Sequence, residues 1–245
     1  MLPQLETTKI DLSNNDQICT IIFNRPEKKN SMNKQGYKDW FSALNFAKSY
    51  EKVKVVILTG AGSYFSAGTD LSPPSNGENP FDREVLERDT KVTRGIIELM
   101  IDFPKILIGA VNGPAFGISV TTLTLCDFIY TVPEAVFSTP FMKLALCAEV
   151  GKPLTAREFK ELGFVNDIFD KKDLLNNVLK ISSKICELPT TAVMETKKLI
   201  RDGMKGHLKD ANDRELRVLV DRFLHEEFQE AMFKFFSSKK TTSKL

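Results

Sequence analysis

Two short stretches of small residues, each directly behind an apolar run, are where this sequence offers chemistry. Ser66-Ala67-Gly68 follows VKVVILT (53–59), and Gly113-Pro114-Ala115-Phe116-Gly117 follows KILIGAV (105–111). Small residues uncover the backbone, so two such turns on one sheet can aim two N–H groups at one point. That arrangement stabilises negative charge on an oxygen without any side chain. Taken alone, the same residues also fit two ordinary strand-to-helix connections. Other chemistries find less. His207 and His225 are the only imidazoles, HEEF from His225 lacks the second histidine of a zinc helix, and Cys19, Cys126, Cys147 and Cys186 form no C-x-x-C pair, so no metal site is expected. GAGSYFSAG places Phe65 where a dinucleotide fingerprint needs its third glycine, and GISVT places Thr121 where a nucleophile elbow needs its closing glycine. Nucleotide binding and serine hydrolysis both lose support.

The elements that must carry the turns follow from hydrophobic periodicity. ICTIIF (18–23) reads as a strand that stops at Asn24-Arg25-Pro26, and the two runs before the turns read as buried strands. Tyr37, Trp40, Phe41, Leu44 and Ala47 recur at helical spacing, predicting a helix from Asn33 to about Tyr50 capped by Asn33 or Ser31. SPPSNGENP (72–80) reads as a surface loop before a helix over about 82–101, ISVTTLTL as a helix, and DFIYTV (127–132) as a strand. This alternation implies α/β architecture with parallel neighbours. Beyond about Leu154 the chain reads as helices closing at Gly163, before Pro189 and at Gly203. The longest helix is expected last, from about Asp210 to Phe236. Its stripe of Leu216, Leu219, Phe223, Phe228, Met232 and Phe235 packs on the body or on another subunit, or contacts an acyl chain.

With 245 residues, 42% of them apolar, the chain is long enough for one sizeable core. Its 34 basic and 32 acidic residues are too balanced for a nucleic-acid groove or a membrane-attracted face. Two of the cysteines lie in apolar runs, which fits reduced thiols and a reducing compartment. The opening MLPQLETTKI lacks the pattern of a signal peptide, and every apolar run breaks before the ~18 residues that a membrane span requires. Ser243-Lys244-Leu245 reads as a peroxisomal address, recognised by an import receptor, so the peroxisome is the expected location.

NRPEKKNSM, FSAGTDL, PKILIGAVNGPAFG and LCDFIYT stand in the order and spacing of the crotonase, or enoyl-CoA hydratase/isomerase, superfamily. The chain resembles that family over about residues 18–150, and GKPLTAREFKELGFVNDIF extends the likeness. The resemblance implies a crotonase-like spiral of β-β-α units with a helical C-terminal region. It implies one domain over 1–245: a spiral core over about 1–200, a helical part over 204–236 and a tail over 237–245. It also implies an acyl-CoA substrate, with CoA as part of the substrate and no separate cofactor, and assembly as a homotrimer or a pair of trimers.

Carried over residue by residue, the likeness makes the N–H groups of Ala67 and Ile118 the donors to the thioester oxygen, Ile118 standing where the family often has glycine. It makes Ser66, Ala67, Gly68, Thr69, Asp70, Leu71 and Phe141 substrate-binding, and sets Lys28 and Lys29 near the CoA phosphates, although a solvated lysine pair fits them equally. Asp70 matches the family's recurrent acid, with a turn cap as the alternative role. Thr121 and Phe141 occupy the places of the two glutamates of a hydratase, so water addition is disfavoured. Glu149 instead matches the single glutamate of the 3-enoyl-CoA to 2-enoyl-CoA isomerases. That group takes a proton from the α-carbon and returns it at the γ-carbon, helped by an apolar pocket that raises its pKa. Between Glu149 and Gly151-Lys152-Pro153 the family has about 20 more residues, a helix with its connections. A chain without them is expected to hold Glu149 loosely, which leaves acyl-CoA binding without catalysis as the alternative function. Dienoyl-CoA isomerisation is less favoured, because it is expected to need a second acid.

Overall fold

The computed structural model describes residues 1–72, 77–146 and 152–242. Its main sheet is built from β-branched runs. β1 (Thr8–Ser13) pairs antiparallel with β2 (Ile18–Phe23). Then β3 (Val55–Gly60), β4 (Ile106–Val111), β6 (Phe128–Thr131) and β9 (Asp167–Ile168) add in parallel, in the order β1-β2-β3-β4-β6-β9. Every residue of β3 and β4 is buried, as expected for parallel strands covered on both faces. A smaller sheet joins β5 (Ala115–Phe116), β7 (Val136–Ser138) and β8 (Leu154–Thr155) in the order β5-β7-β8.

The helices start where their caps dictate. α1 (Lys34–Ser49) is capped by Asn33, whose side chain accepts the Gly36 N–H at 2.9 Å. α2 (Arg83–Ile101) is capped by Asp82. α3 (Ile118–Thr121) runs into a 3-10 turn over Thr122–Leu125, and α4 (Ala156–Glu161) opens on a Thr155/Glu158 capping box. α5 (Leu174–Glu187), α6 (Thr190–Leu224) and α7 (Glu226–Thr242) complete the chain's helical part. Trp40, Leu44, Ile57, Leu58, Ile96 and Leu107 centre the main core. A second cluster of Leu146, Phe228 and Met232, flanked by Leu71, Phe81, Phe141, Leu144, Leu219 and Phe223, joins α6 and α7 to the end of the sheet that carries the turns.

α6 is fastened to the sheet by buried charge. Lys197, 8% exposed, donates to Asp127 at 2.7 Å and to the Lys105 carbonyl at 2.6 Å. Asp127 also takes Arg201 at 3.2 Å and the Leu107 N–H at 2.8 Å. Removing one partner would strand the rest in low dielectric, so the group holds as a set. Burial pushes the Cys19 and Cys126 thiols up to about 12, keeping both protonated. Cys147 lies outside the described residues. Among the described residues no helix is long and apolar enough to cross a membrane, and no cluster of His, Cys, Asp and Glu is grouped to hold a metal ion.

Three readings are corrected here. β1 lies in a stretch not read as a strand, because TKIDLS is half polar. It forms because buried Asp39 of α1 accepts the Glu6 and Thr7 N–H groups at 2.9 and 2.6 Å and guides the chain onto β2. The helix expected to close at Gly203 does not: Gly203 and Gly206 both lie inside α6, and neither has a positive φ. Gly163, with φ +76°, does end its helix in the left-handed way. The longest helix, expected last over about 210–236, is corrected too: the longest is α6, which ends at His225 (φ −76°, ψ 144°) before α7, and the Phe223 and Phe228 rings meet edge to face at 5.0 Å across the break.

A Cβ at Gly203 or Gly206 would meet nothing within 4 Å. Gly203→Ala and Gly206→Ala are therefore each expected to stabilise the protein by about 0.5–1 kcal/mol, read from the urea midpoint. A left-handed stop at either position would make its alanine variant destabilising.

Candidate active site

Two asparagines shape the loop that leaves β3. Asn30, 2% exposed, accepts the Arg25 N–H at 2.9 Å and donates to the Ala61 and Tyr64 carbonyls, both at 2.8 Å. Asn112 accepts the Gly60 N–H at 3.0 Å and donates to the Gly62 carbonyl at 3.1 Å. The loop then meets the second turn backbone to backbone. Phe65 N–H donates to the Pro114 carbonyl at 3.1 Å, and Phe116 N–H to the Ser66 carbonyl at 2.9 Å. Fully buried Ser66 donates its Oγ–H to the Asn30 carbonyl at 2.8 Å, while buried Ser119 donates to the Ser66 carbonyl at 3.1 Å.

This approach requires glycine. A Cβ on Gly113 would lie 2.0 Å from the Ser63 carbonyl oxygen, and one on Gly68 (φ +77°) would lie 2.6 Å from the Phe116 carbonyl oxygen. The two small-residue turns are thus one unit, as their sequences allowed.

Several N–H groups of this unit can be followed to their acceptors. Ala67 N–H donates to the Lys29 carbonyl at 2.9 Å, so the donor role expected for Ala67 is corrected: that proton is already engaged. Gly68 N–H goes to Ser66 Oγ at 3.1 Å, Asp70 N–H to the Met32 carbonyl at 2.9 Å and Gly117 N–H to the Ser138 carbonyl at 2.8 Å. Among the described residues, the N–H groups of Thr69 and Ile118 have no acceptor. Thr69 N–H shares its peptide with the Gly68 carbonyl, which accepts Met32 N–H at 2.8 Å. A planar trans peptide turns its N–H the opposite way, away from Met32. The Gly117 carbonyl likewise accepts Val120 N–H at 2.9 Å, which fixes the plane that carries the Ile118 N–H. The Thr69 and Ile118 N–H groups, one directly after each turn, are thus left oriented and without an acceptor among the described residues.

The remaining expected residues take varied places. Asp70 pairs with Arg25 at 3.1 Å and accepts the Ser72 N–H at 3.1 Å, which makes it a turn cap as well as an ion-pair partner. Desolvation pushes its pKa up, but the Ser72 and Arg25 hydrogen bonds and the Arg25 charge outweigh it and hold the carboxyl below its ordinary range. Leu71 and Phe141 belong to the second apolar cluster, and the Phe141 ring lies 3.6 Å from where a Cβ on Gly117 would be. Thr121 Oγ1 donates to the Ile118 carbonyl at 3.3 Å. Lys28 and Lys29 are exposed, with Lys29 Nζ 5.1 Å from the centre of the Tyr64 ring. Glu149 and the terminal Ser243, Lys244 and Leu245 lie outside the described residues. Sequence reasoning missed Arg25, Asn30 and Asn112. All three stand inside or beside the quoted motifs, but nothing in their type or spacing announces a clamp.

A protein-family model described as enoyl-CoA hydratase/isomerase matches residues 13–152. The chain is 34% identical over 255 residues to the rat (Rattus norvegicus) enoyl-CoA delta isomerase 2, covering 96% of this chain and 65% of that protein. The chain is 32% identical to the mouse (Mus musculus) protein named enoyl-CoA delta isomerase 3, peroxisomal, covering 96% of this chain and 80% of that one. Among solved structures, an enoyl-CoA hydratase/isomerase from Pseudoalteromonas atlantica T6c superposes with a TM-score of 0.83 at 25% identity, covering 95% of this chain and 98% of that one.

Asp70→Asn removes a charge that Arg25 and Ser72 both hold, and is expected to cost about 1–3 kcal/mol at neutral pH. Because the folded pKa is depressed, this stabilisation is present above the unfolded value of about 4 and is lost as pH falls through the folded value. Urea unfolding of both proteins should therefore show a gap at pH 7 that closes in acid; an equal gap at every pH would remove the ion pair as its cause.

Proposed function

The chain belongs to the enoyl-CoA hydratase/isomerase family, and from that membership we propose that it isomerises 3-enoyl-CoA to 2-trans-enoyl-CoA in the oxidation of unsaturated fatty acids. The observation that carries this reading is the pair of oriented donors, Thr69 N–H and Ile118 N–H, presented by two interlocked turns. The names of the rat and mouse relatives, both enoyl-CoA delta isomerases, support the isomerase branch.

The reaction needs little from side chains. The thioester oxygen sits between the two N–H groups. When a base removes an α-proton, the electrons move onto that oxygen as a dienolate, and donors already in place need no reorganisation to receive the charge. A single such donor is worth on the order of 10²–10³ in rate. The proton then returns at the γ-carbon, the double bond comes to lie between the α- and β-carbons, and no atom is gained or lost. One carboxylate that takes and returns the same proton suffices. Asp70 is unsuited, because Arg25 and Ser72 hold it ionised and occupied. Glu149 is the group we assign, on its match to the family's single glutamate. Thr121 and Phe141, where a hydratase carries glutamates, give no carboxylate to activate water.

The short passage from Leu146 to Lys152 favours one competing reading, acyl-CoA binding without turnover. The mouse relative's name supports the peroxisome, the location expected from Ser243-Lys244-Leu245. Self-association as a trimer or pair of trimers would cover apolar side chains that α6 leaves exposed, Leu199, Ile200 and Met204.

Purified protein given a 3-enoyl-CoA is expected to produce the conjugated 2-enoyl thioester, followed by its ultraviolet absorbance. Glu149→Gln should lower kcat by about 10²–10⁴-fold while CoA-ester binding persists. Unchanged turnover in the variant removes Glu149 from the mechanism. Binding without turnover in the parent establishes the competing reading.

A further inference from the structure

Thr69 is an exposed residue asked to hold a backbone donor in place, and one contact to its side chain has no part in the reaction described above. Its Oγ1 lies 2.7 Å from the hydroxyl of Tyr37, on the first turn of α1. We propose that Tyr37 is a positioning residue for the oxyanion-binding N–H of Thr69, acting through this hydroxyl pair and never touching substrate. The inference rests on the proposed function, since it assigns a support to that same site.

The beginning of α1 grips this stretch from two directions. Met32, just before the Asn33 cap, takes the Gly68 carbonyl with its N–H at 2.8 Å and the Asp70 N–H with its carbonyl at 2.9 Å. These bonds fix the peptides on either side of Thr69, but leave the threonine side chain without restraint. A threonine hydroxyl can rotate to bond its own local backbone, and here it stands beside an N–H that must stay open. Tyr37 removes that competition by holding Oγ1 in one rotamer. The anchor is firm: its ring packs against the main core, and its N–H donates to the Asn33 carbonyl at 3.1 Å in the regular helical pattern. Burial pushes the phenol up to about 12, against the Thr69 hydrogen bond that pulls it down, so the hydroxyl stays neutral at any working pH.

The test is the thioester C=O stretching frequency of a bound, isotope-labelled 2-enoyl-CoA, with kcat and Kd measured alongside. A merely structural residue would leave the frequency of bound ligand unmoved. Wild type is expected to lower the frequency relative to free ligand. Tyr37→Phe should lessen that shift and lower kcat about 2- to 10-fold, the range for one hydrogen bond, with Kd within about twofold. Thr69→Val removes the same bond from the exposed side, where no packing depends on it, and should match Tyr37→Phe. The double variant should be no worse than either single one. A wild-type shift retained in Tyr37→Phe, or single effects that multiply in the double variant, overturns the inference and leaves the oxyanion site standing. Wild type that binds without any shift, or does not bind, overturns the site and the inference together.

Discussion

The constraint on which the site depends is the contact between two backbones with nothing between them. The loop after β3 and the turn after β4 come close enough for Phe116 N–H to reach the Ser66 carbonyl at 2.9 Å, and both Gly68 and Gly113 lie where any Cβ would strike a carbonyl oxygen. Parallel pairing of β3 with β4, Val55 opposite Ile106 and Leu58 opposite Gly109, delivers the two turns to the same edge of the sheet in fixed register. The turns then close on each other through carbonyls, hydroxyls and asparagine amides. Most of the polar groups in this region are used in holding the unit together, and the Thr69 and Ile118 N–H groups are not among them.

That economy explains the division of labour among the side chains. Asn30, Asn112, Ser66 and Ser119 are buried or partly buried, and each bonds a backbone group of a neighbouring segment. Their removal would leave carbonyls and N–H groups unpaired in low dielectric, a cost comparable to a lost hydrogen bond for each. Arg25 and Asp70 do the same work with charge nearer the surface. The apolar cluster of Leu146, Phe228 and Met232 closes the same end of the molecule from the far side of the chain, and brings Leu71 and Phe141 against α7.

Much of this was legible in the sequence, for identifiable reasons. The strands at 55–60 and 106–111 were readable because fully buried parallel strands are uninterrupted apolar runs. α1 was readable because Asn33 caps it and its apolar residues recur at helical spacing. The turns were readable from their small residues. What failed was whatever depended on a distant partner. β1 exists because Asp39 steers it, and α6 runs through Gly203 because glycine permits a left-handed stop without compelling one. The engagement of the Ala67 N–H has the same origin: whether that group is free is decided by the Lys29 carbonyl, which no local pattern reports.

A site whose donors are main-chain groups has an unusual mutational profile. Nineteen of the twenty residue types carry the needed N–H, so substitution at position 69 or 118 can change size, polarity or fit while the donor survives. Proline alone deletes it outright. Side chains around such a centre can therefore be rewritten with little risk to it, and a residue as bulky as the isoleucine at 118 leaves its own N–H in place. Innovation at the walls and conservatism in the chain path are, for this architecture, two sides of one arrangement.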